Sequence, residues 1–267
     1  MSRLYCAWYG VDEATVDAPV LVLGNSIGTN QGMWAPLFPE LARRFRVLAV
    51  EHRGHAGSEL PRGPYTMDDL GGDFLALVDE LGIGRFRYAG LSLGGMVGMW
   101  LASRAPERVE RLALLCTSAY LPPAQGWLDR AATVRARGTG EIAAAVAARW
   151  FTAGFRKHEP ERVKAALAML EATPAEGYAG CCEAIAGMDL RATLPAITAA
   201  TLVIAGADDP ATPPSHGEAI VSEVPGARLE VVADAAHLAT LEQPEAIAAL
   251  ITAHLSGEAM SNASGAP

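Results

Sequence analysis

The chain has 267 residues, 51% of them hydrophobic, and carries 21 Lys and Arg against 30 Asp and Glu for a formal charge of −9. That apolar content is enough for a sizeable core and excludes a disordered chain, and the acidic balance, uninterrupted by any Lys/Arg cluster, excludes nucleic acid as a partner. Residues 1–10 carry Arg3 and polar side chains where a secretory leader needs an apolar core, and no apolar run approaches membrane-spanning length, so the expectation is a soluble cytoplasmic protein with no membrane partner.

Short β-rich runs alternate with helical patterns, which predicts an α/β class with a mostly parallel central sheet and crossover helices on both faces. Residues 3–9 predict an antiparallel edge hairpin turning near Gly10, followed by strands over 20–23, 46–50, 86–90, 111–116, 201–206 and 228–232. Between them fall helices over 33–43, 67–81, 93–103, 215–224 and 244–254. The alternation breaks once: from Cys116 to Thr201 only helical patterns occur, over 127–137, 141–151, 160–172 and 176–188, punctuated by glycine and proline. That interval predicts a helical cap, residues 119–193, inserted into a core built from residues 1–118 and 194–256. The small, polar, aperiodic stretch 257–267 predicts a disordered tail.

Ligands of open parallel sheets gather at the carboxyl ends of the strands, so the loops after each strand hold the candidate chemistry. After the strand at 86–90 comes Gly90-Leu91-Ser92-Leu93-Gly94-Gly95, a G-x-S-x-G-G sequence between a strand pattern and a helical one. In that context it predicts a nucleophile elbow, a turn too sharp for a Cβ at the flanking glycines. Asp208 and Asp209 follow the strand at 201–206, and His237 follows the strand at 228–232. A serine, an aspartate and a histidine thus end three strands in the chain order of α/β-hydrolases. Ser92 is a weak nucleophile at its free pKa and needs His237 to take its proton, and the histidine needs an acid to orient it, for which both aspartates are candidates. His52 and His55 read as loop braces, and His158 and His216 as surface residues. An oxyanion hole requires two backbone donors, the N–H of Leu93 and one from the loop after 20–23, where Ser26 and Asn25 are candidates. Cys6, Cys116, Cys181 and Cys182 lack metal-ligand spacing, and there is neither a phosphate-binding loop nor a G-x-G-x-x-G, so no metal and no cofactor is expected.

Several segments together resemble the 3-oxoadipate enol-lactonases, α/β-hydrolases of the β-ketoadipate branch of aromatic catabolism. They are Leu23-Gly24-Asn25-Ser26-Ile27-Gly28-Thr29, Arg53-Gly54-His55, the elbow continued through Met96-Val97-Gly98, Arg149-Trp150-Phe151-Thr152, residues 172–178, Cys181-Cys182, Met188-Asp189-Leu190-Arg191 and residues 205–214. The resemblance implies an α/β-hydrolase fold. Its G-x-x-D pattern, counted from Gly206, selects Asp209, its His, Glu and Pro arrangement matches His237, Glu242 and Pro244, and alignment on Gly28 favours Ser26 for the oxyanion hole. It also implies hydrolysis of 3-oxoadipate enol-lactone, a small lactone carrying a carboxylate, to 3-oxoadipate through a Ser92-His237-Asp209 triad and a covalent acyl-enzyme. A carboxylate calls for a cation or aligned donors, and Arg130 and Arg149, with Trp127 and Trp150 beside them, are the candidates. The chain departs from the family pattern in three places: Glu51-His52 stands where an Asp is common before Arg-Gly-His, Ala56 replaces a usual Gly, and Leu238-Ala239-Thr240 follows the histidine where Ser and Asn are familiar. None of these removes a catalytic atom. The same triad also serves a carboxylesterase or a cofactor-free serine peroxidase or perhydrolase, which substrate preference alone separates.

Overall fold

The computed structural model describes residues 1–10 and 17–257. One sheet of seven strands runs in the order β1-β3-β2-β4-β5-β6-β7, with β1 at Cys6–Tyr9, β2 at Val20–Gly24, β3 at Arg46–Val50, β4 at Phe86–Leu91, β5 at Val109–Leu115, β6 at Ala200–Gly206 and β7 at Arg228–Val232. The central strands are almost continuous apolar runs, as expected where helices cover both faces of a parallel sheet. Every pairing is parallel except that of β1, which runs antiparallel to β3 from Cys6↔Val50 to Tyr9↔Val47. β1 is therefore an antiparallel edge strand but not the arm of a hairpin with the next strand. β2 is already paired on both sides, by β3 and β4, so β1 adds instead to the outer edge of β3.

The helices are α1 (Phe38–Leu41), α2 (Met67–Glu80), α3 (Leu93–Arg104), α4 (Ala124–Arg137), α5 (Ala143–Trp150), α6 (Ala153–His158), α7 (Pro160–Ala172), α8 (Ala175–Ala186), α9 (Pro214–Glu223), α10 (Ala239–Glu242) and α11 (Pro244–Ser256). α2 starts at a reciprocal cap in which Thr66 and Asp69 satisfy each other's backbone N–H. α3, buried continuously from Leu93 to Ala102, packs on β2, β4 and β5 and under α2, whereas α1 and α11 contact each other in a separate layer. Helices α4 to α8 all lie between β5 and β6, α4 against α8, and a bridge between Tyr120 and Asp189 joins the two ends of that segment.

Two expected helices divide. Residues 33–43 form a 3₁₀ turn, Gln31–Leu37, followed by the short α1, because Pro36 and Pro39 each remove an N–H from the α-helical ladder. Residues 141–151 likewise open with a 3₁₀ turn, Thr139–Ile142, before α5. α6 and α10 are too short to show a period in the sequence. The tail expected at 257–267 lies, apart from Gly257, outside the described residues, within which no helix is long and apolar enough to cross a membrane.

Candidate active site

β4 ends at Leu91, and Ser92 turns the chain into α3 with φ 56° and ψ −112°. A side-chain-bearing residue in that region is strained and persists only where its surroundings impose it. Here Ser92 N–H donates to the Leu115 carbonyl at 2.9 Å, Thr117 Oγ1 donates to the Ser92 carbonyl at 2.7 Å, and Gly94 N–H donates to the Asn25 carbonyl at 2.9 Å. The glycines are required by contact: a Cβ on Gly94 would stand 2.2 Å from the Gly24 carbonyl oxygen, and one on Gly90 would stand 2.2 Å from that of Gly94. The N–H of Leu93, first in α3, has no acceptor within its helix.

Asp209, in the loop after β6, is 3% exposed, and its Oδ2 lies 2.8 Å from Nδ1 of His237, itself 5% exposed. The carboxylate is otherwise saturated: Oδ1 accepts from the backbone N–H of Ala211 at 2.8 Å and of Thr212 at 3.1 Å, and Oδ2 accepts from Thr212 Oγ1 at 2.8 Å. Burial works against its charge, but the neighbouring imidazole and these hydrogen bonds outweigh burial and hold the carboxyl below its usual value. With Nδ1 on the aspartate, Nε2 is the free nitrogen of His237. Asp208, one residue earlier, is exposed.

The other histidines are differently placed. His52 Nε2 lies 2.9 Å from the Asn25 carbonyl, and His55 Nε2 accepts from Gly28 N–H at 3.0 Å, so both brace the loop after β2. Burial pushes them down to about 3 and about 4, which keeps both neutral. His158 is exposed, but His216 is not the surface residue expected, since α9 packs it half-buried with Nδ1 2.8 Å from Ser118 Oγ. The loop after β2 is anchored through Asn25, whose Nδ2 donates to Val50 O at 3.1 Å and Glu51 Oε2 at 2.8 Å while Oδ1 accepts from Trp34 Nε1 at 2.9 Å. Glu51 Oε1 accepts from Gln31 N–H at 2.8 Å, and burial pushes its carboxyl up to about 7 against those two hydrogen bonds. The Ser26 N–H, buried, meets only Met33 Sδ at 3.3 Å, a weak acceptor. Ile27 is the residue of this loop that faces the cavity.

That cavity, about 330 Å³, is lined by Ser92 and His237 on the sheet side and by Trp127, Arg130, Arg149 and Trp150 from α4 and α5. Arg130 is half-buried, its guanidinium 4.6 Å from the centre of the Trp127 ring, and Tyr178 lines the same cavity. Among the described residues no carboxylate pairs with Arg130. Arg149 is exposed at the mouth, and Trp150 is buried. Tyr178, a lining residue that sequence reasoning did not single out, sits in the segment 172–178, where the only signal was similarity of a stretch rather than of a position. Thr212 was also missed, because a threonine three residues after an aspartate is unremarkable until the loop folds back on the carboxylate. All four cysteines are free thiols. Among the described residues no group of three or more His, Cys, Asp or Glu side chains is placed to hold a metal ion.

The family described as alpha/beta hydrolase fold matches residues 19–244. The chain is 41% identical to 3-oxoadipate enol-lactonase 2 of Acinetobacter baylyi over 86% of each protein. Its fold superposes on the crystal structure of the enol-lactonase from Burkholderia xenovorans with a TM-score of 0.92 at 39% identity, covering 96% of this chain and 97% of that one. A hydrolase from Pseudomonas aeruginosa gives a TM-score of 0.90 at 44% identity over 95% and 94%. The chain belongs to the alpha/beta hydrolase fold family and, within it, to the 3-oxoadipate enol-lactonases.

Proposed function

We propose that this chain hydrolyses 3-oxoadipate enol-lactone to 3-oxoadipate, with Ser92 as nucleophile, His237 as general base and acid, and Asp209 as the group that orients the imidazole and stabilises the imidazolium formed when it takes the serine proton. His237 Nε2 takes the Ser92 proton as Oγ attacks the lactone carbonyl, and the Leu93 and Ser26 N–H groups hold the oxyanion, which displaces the thioether from the Ser26 donor. The ring C–O bond then breaks as His237 Nε2 gives that proton to the departing oxygen, and the resulting enol, tethered to the acyl-enzyme, tautomerises to the ketone and leaves His237 neutral. His237 next activates a water to cleave the acyl-serine ester. Residues 119–193 act as the cap that closes over the lactone. From that cap Arg130 receives the substrate carboxylate, with Trp127 against the ring, while Arg149 stands at the entrance and Trp150 shapes the wall.

The observation that carries this reading is a half-buried arginine, without a carboxylate partner among the described residues, lining the same cavity as Ser92 and His237, in a chain with 41% identity to a 3-oxoadipate enol-lactonase. The test follows the ultraviolet loss of 3-oxoadipate enol-lactone beside an aryl ester, with the wild type and Ser92→Ala. The expectation is rapid lactone loss far above ester cleavage, abolished by Ser92→Ala with the melting temperature retained. Ester turnover with an inert lactone would instead make the chain a general carboxylesterase.

A further inference from the structure

His237 is held from both sides by backbone hydrogen bonds, and each leads to the same place. On its N-terminal side, Ala236 N–H donates to Glu242 Oε2 at 2.6 Å. On its C-terminal side, Leu238 N–H donates to the carbonyl of Trp150, the last residue of α5, at 3.0 Å. The other oxygen of Glu242, Oε1, reaches the next residues of that same segment, accepting from Thr152 N–H at 2.9 Å and Thr152 Oγ1 at 2.8 Å. Thr152 Oγ1 in turn caps α6 by accepting from Phe155 N–H at 3.2 Å. Glu242 is 8% exposed, and no cation is paired with it among the described residues. Its carboxylate is thus occupied by three donors, two from the α5–α6 junction and one from the residue before His237.

We infer that Glu242 is a positioning residue that fixes the His237 loop and the α5–α6 wall of the cavity in one register, so that the base and the surface the substrate touches are set together. The inference rests on the reading of Ser92 and His237 as the reacting pair. The chemistry of the side chain is specific to the task. A carboxylate offers only acceptors, so it can satisfy a backbone N–H on one oxygen and an N–H with a hydroxyl on the other. A glutamine of the same shape must turn its NH₂ toward one of those donors, which breaks that half of the link, leaves a buried N–H without a partner and, by pushing the side chain away, loosens the other half as well. The two halves have separate consequences. Losing the Ala236 bond frees the backbone beside His237 and slows proton transfer for any ester. Losing the Thr152 bonds lets α5 drift, which moves Trp150 and Arg149 against the lactone but leaves a small neutral ester unaffected.

The test uses the full chain and two substrates, 3-oxoadipate enol-lactone and 4-nitrophenyl acetate, with active sites counted by a fluorophosphonate. Glu242→Gln is expected to lower kcat about tenfold or more on both substrates and to raise KM for the lactone alone. Thr152→Val, which removes the hydroxyl on the cap side, is expected to raise the lactone KM several-fold with kcat on 4-nitrophenyl acetate within about twofold of wild type, and Thr152→Ser is expected to restore the lactone KM. A Glu242→Gln enzyme that melts lower yet keeps both kcat and KM per active site would overturn the inference and make the residue merely structural. If Glu242→Gln does not fold, the Thr152 pair decides: an unchanged lactone KM in Thr152→Val, or no rescue in Thr152→Ser, also overturns it. A wild type that turns over the ester but not the lactone would sink the substrate reading, and the ester kcat of Glu242→Gln would still judge the His237 half of the link.

Discussion

Asp208 and Asp209 are neighbours in sequence with opposite surroundings. Asp209 is buried in a cage of two N–H groups, a hydroxyl and an imidazole, whereas Asp208 is in solvent. Asp209→Asn keeps the shape but offers Nδ1 an amide that cannot stabilise the imidazolium and can fix the wrong tautomer, so kcat on the lactone should fall by about 10³ to 10⁴. Asp208→Asn should stay within about twofold, and the opposite ranking would move the orienting role. Which aspartate lies against His237 was legible only through the family's G-x-x-D spacing, because adjacent residues carry no burial signal of their own. Glu51 gives a pH signature. Its carboxyl titrates near 4.5 when unfolded and about 7 in the fold, so the fold keeps a proton that the unfolded chain has released between those values. Its contribution to stability is therefore complete below about 4.5 and is lost as pH rises through about 7. Glu51→Gln cannot titrate, so its urea-unfolding free energy relative to wild type should rise between pH 5 and pH 8, by about 3 kcal/mol at most. A difference that stays flat with pH would show that Glu51 remains ionised throughout.

At the scale of elements, the loop after β3 is joined to α2 by a buried ion pair: Arg53 Nε donates to Asp73 Oδ2 at 2.6 Å and Arg53 donates again to Asp73 Oδ1 at 2.8 Å, with the Asp73 side chain 1% exposed. Removing one partner strands a buried charge, so Arg53→Met should cost about 3 to 5 kcal/mol in chemical denaturation, well beyond the loss of a surface pair. A change below about 1 kcal/mol would mean that Asp73 is neutralised or hydrated in the variant. The central strands were legible because parallel strands covered on both faces are nearly unbroken apolar runs, and Arg46–Val50 coincides with its expected span. What was not legible was pairing and pitch. The partner of β1 depends on which edges the rest of the sheet leaves open, a non-local fact. The switch to 3₁₀ geometry at Gln31–Leu37 follows from missing N–H groups that a count of apolar positions does not register. Of the site, the elbow was legible because steric need for glycine leaves a sequence trace, whereas Tyr178 and Thr212 enter it through tertiary folding alone.

For the whole molecule, charge decides how the proposed anionic lactone would be received. A chain of net charge −9 repels a carboxylate at long range, and that repulsion is screened within about 8 to 10 Å at ordinary salt. Inside the cavity the balance is local, set by a half-buried Arg130 stacked on Trp127 and free of any carboxylate among the described residues, with exposed Arg149 behind it at the mouth. The two arginines should therefore separate experimentally. Arg130→Met, which keeps the aliphatic stem but removes the guanidinium stacked on Trp127, should raise KM for 3-oxoadipate enol-lactone about tenfold or more, because a charge-assisted contact is lost in a site partly shielded from water. It should leave KM for the corresponding enol-lactone with a methyl group in place of the carboxymethyl arm nearly unchanged. Arg149→Met should act more weakly, and its effect should fade as salt is raised, as expected for a solvated charge that only guides approach. Were Arg130→Met to weaken both lactones equally, its role would be to support Trp127 rather than to receive the carboxylate; were neither substitution to matter, the anion would have to be held by dipoles of the cavity wall, where Tyr178, Trp127 and Trp150 carry the donors to examine.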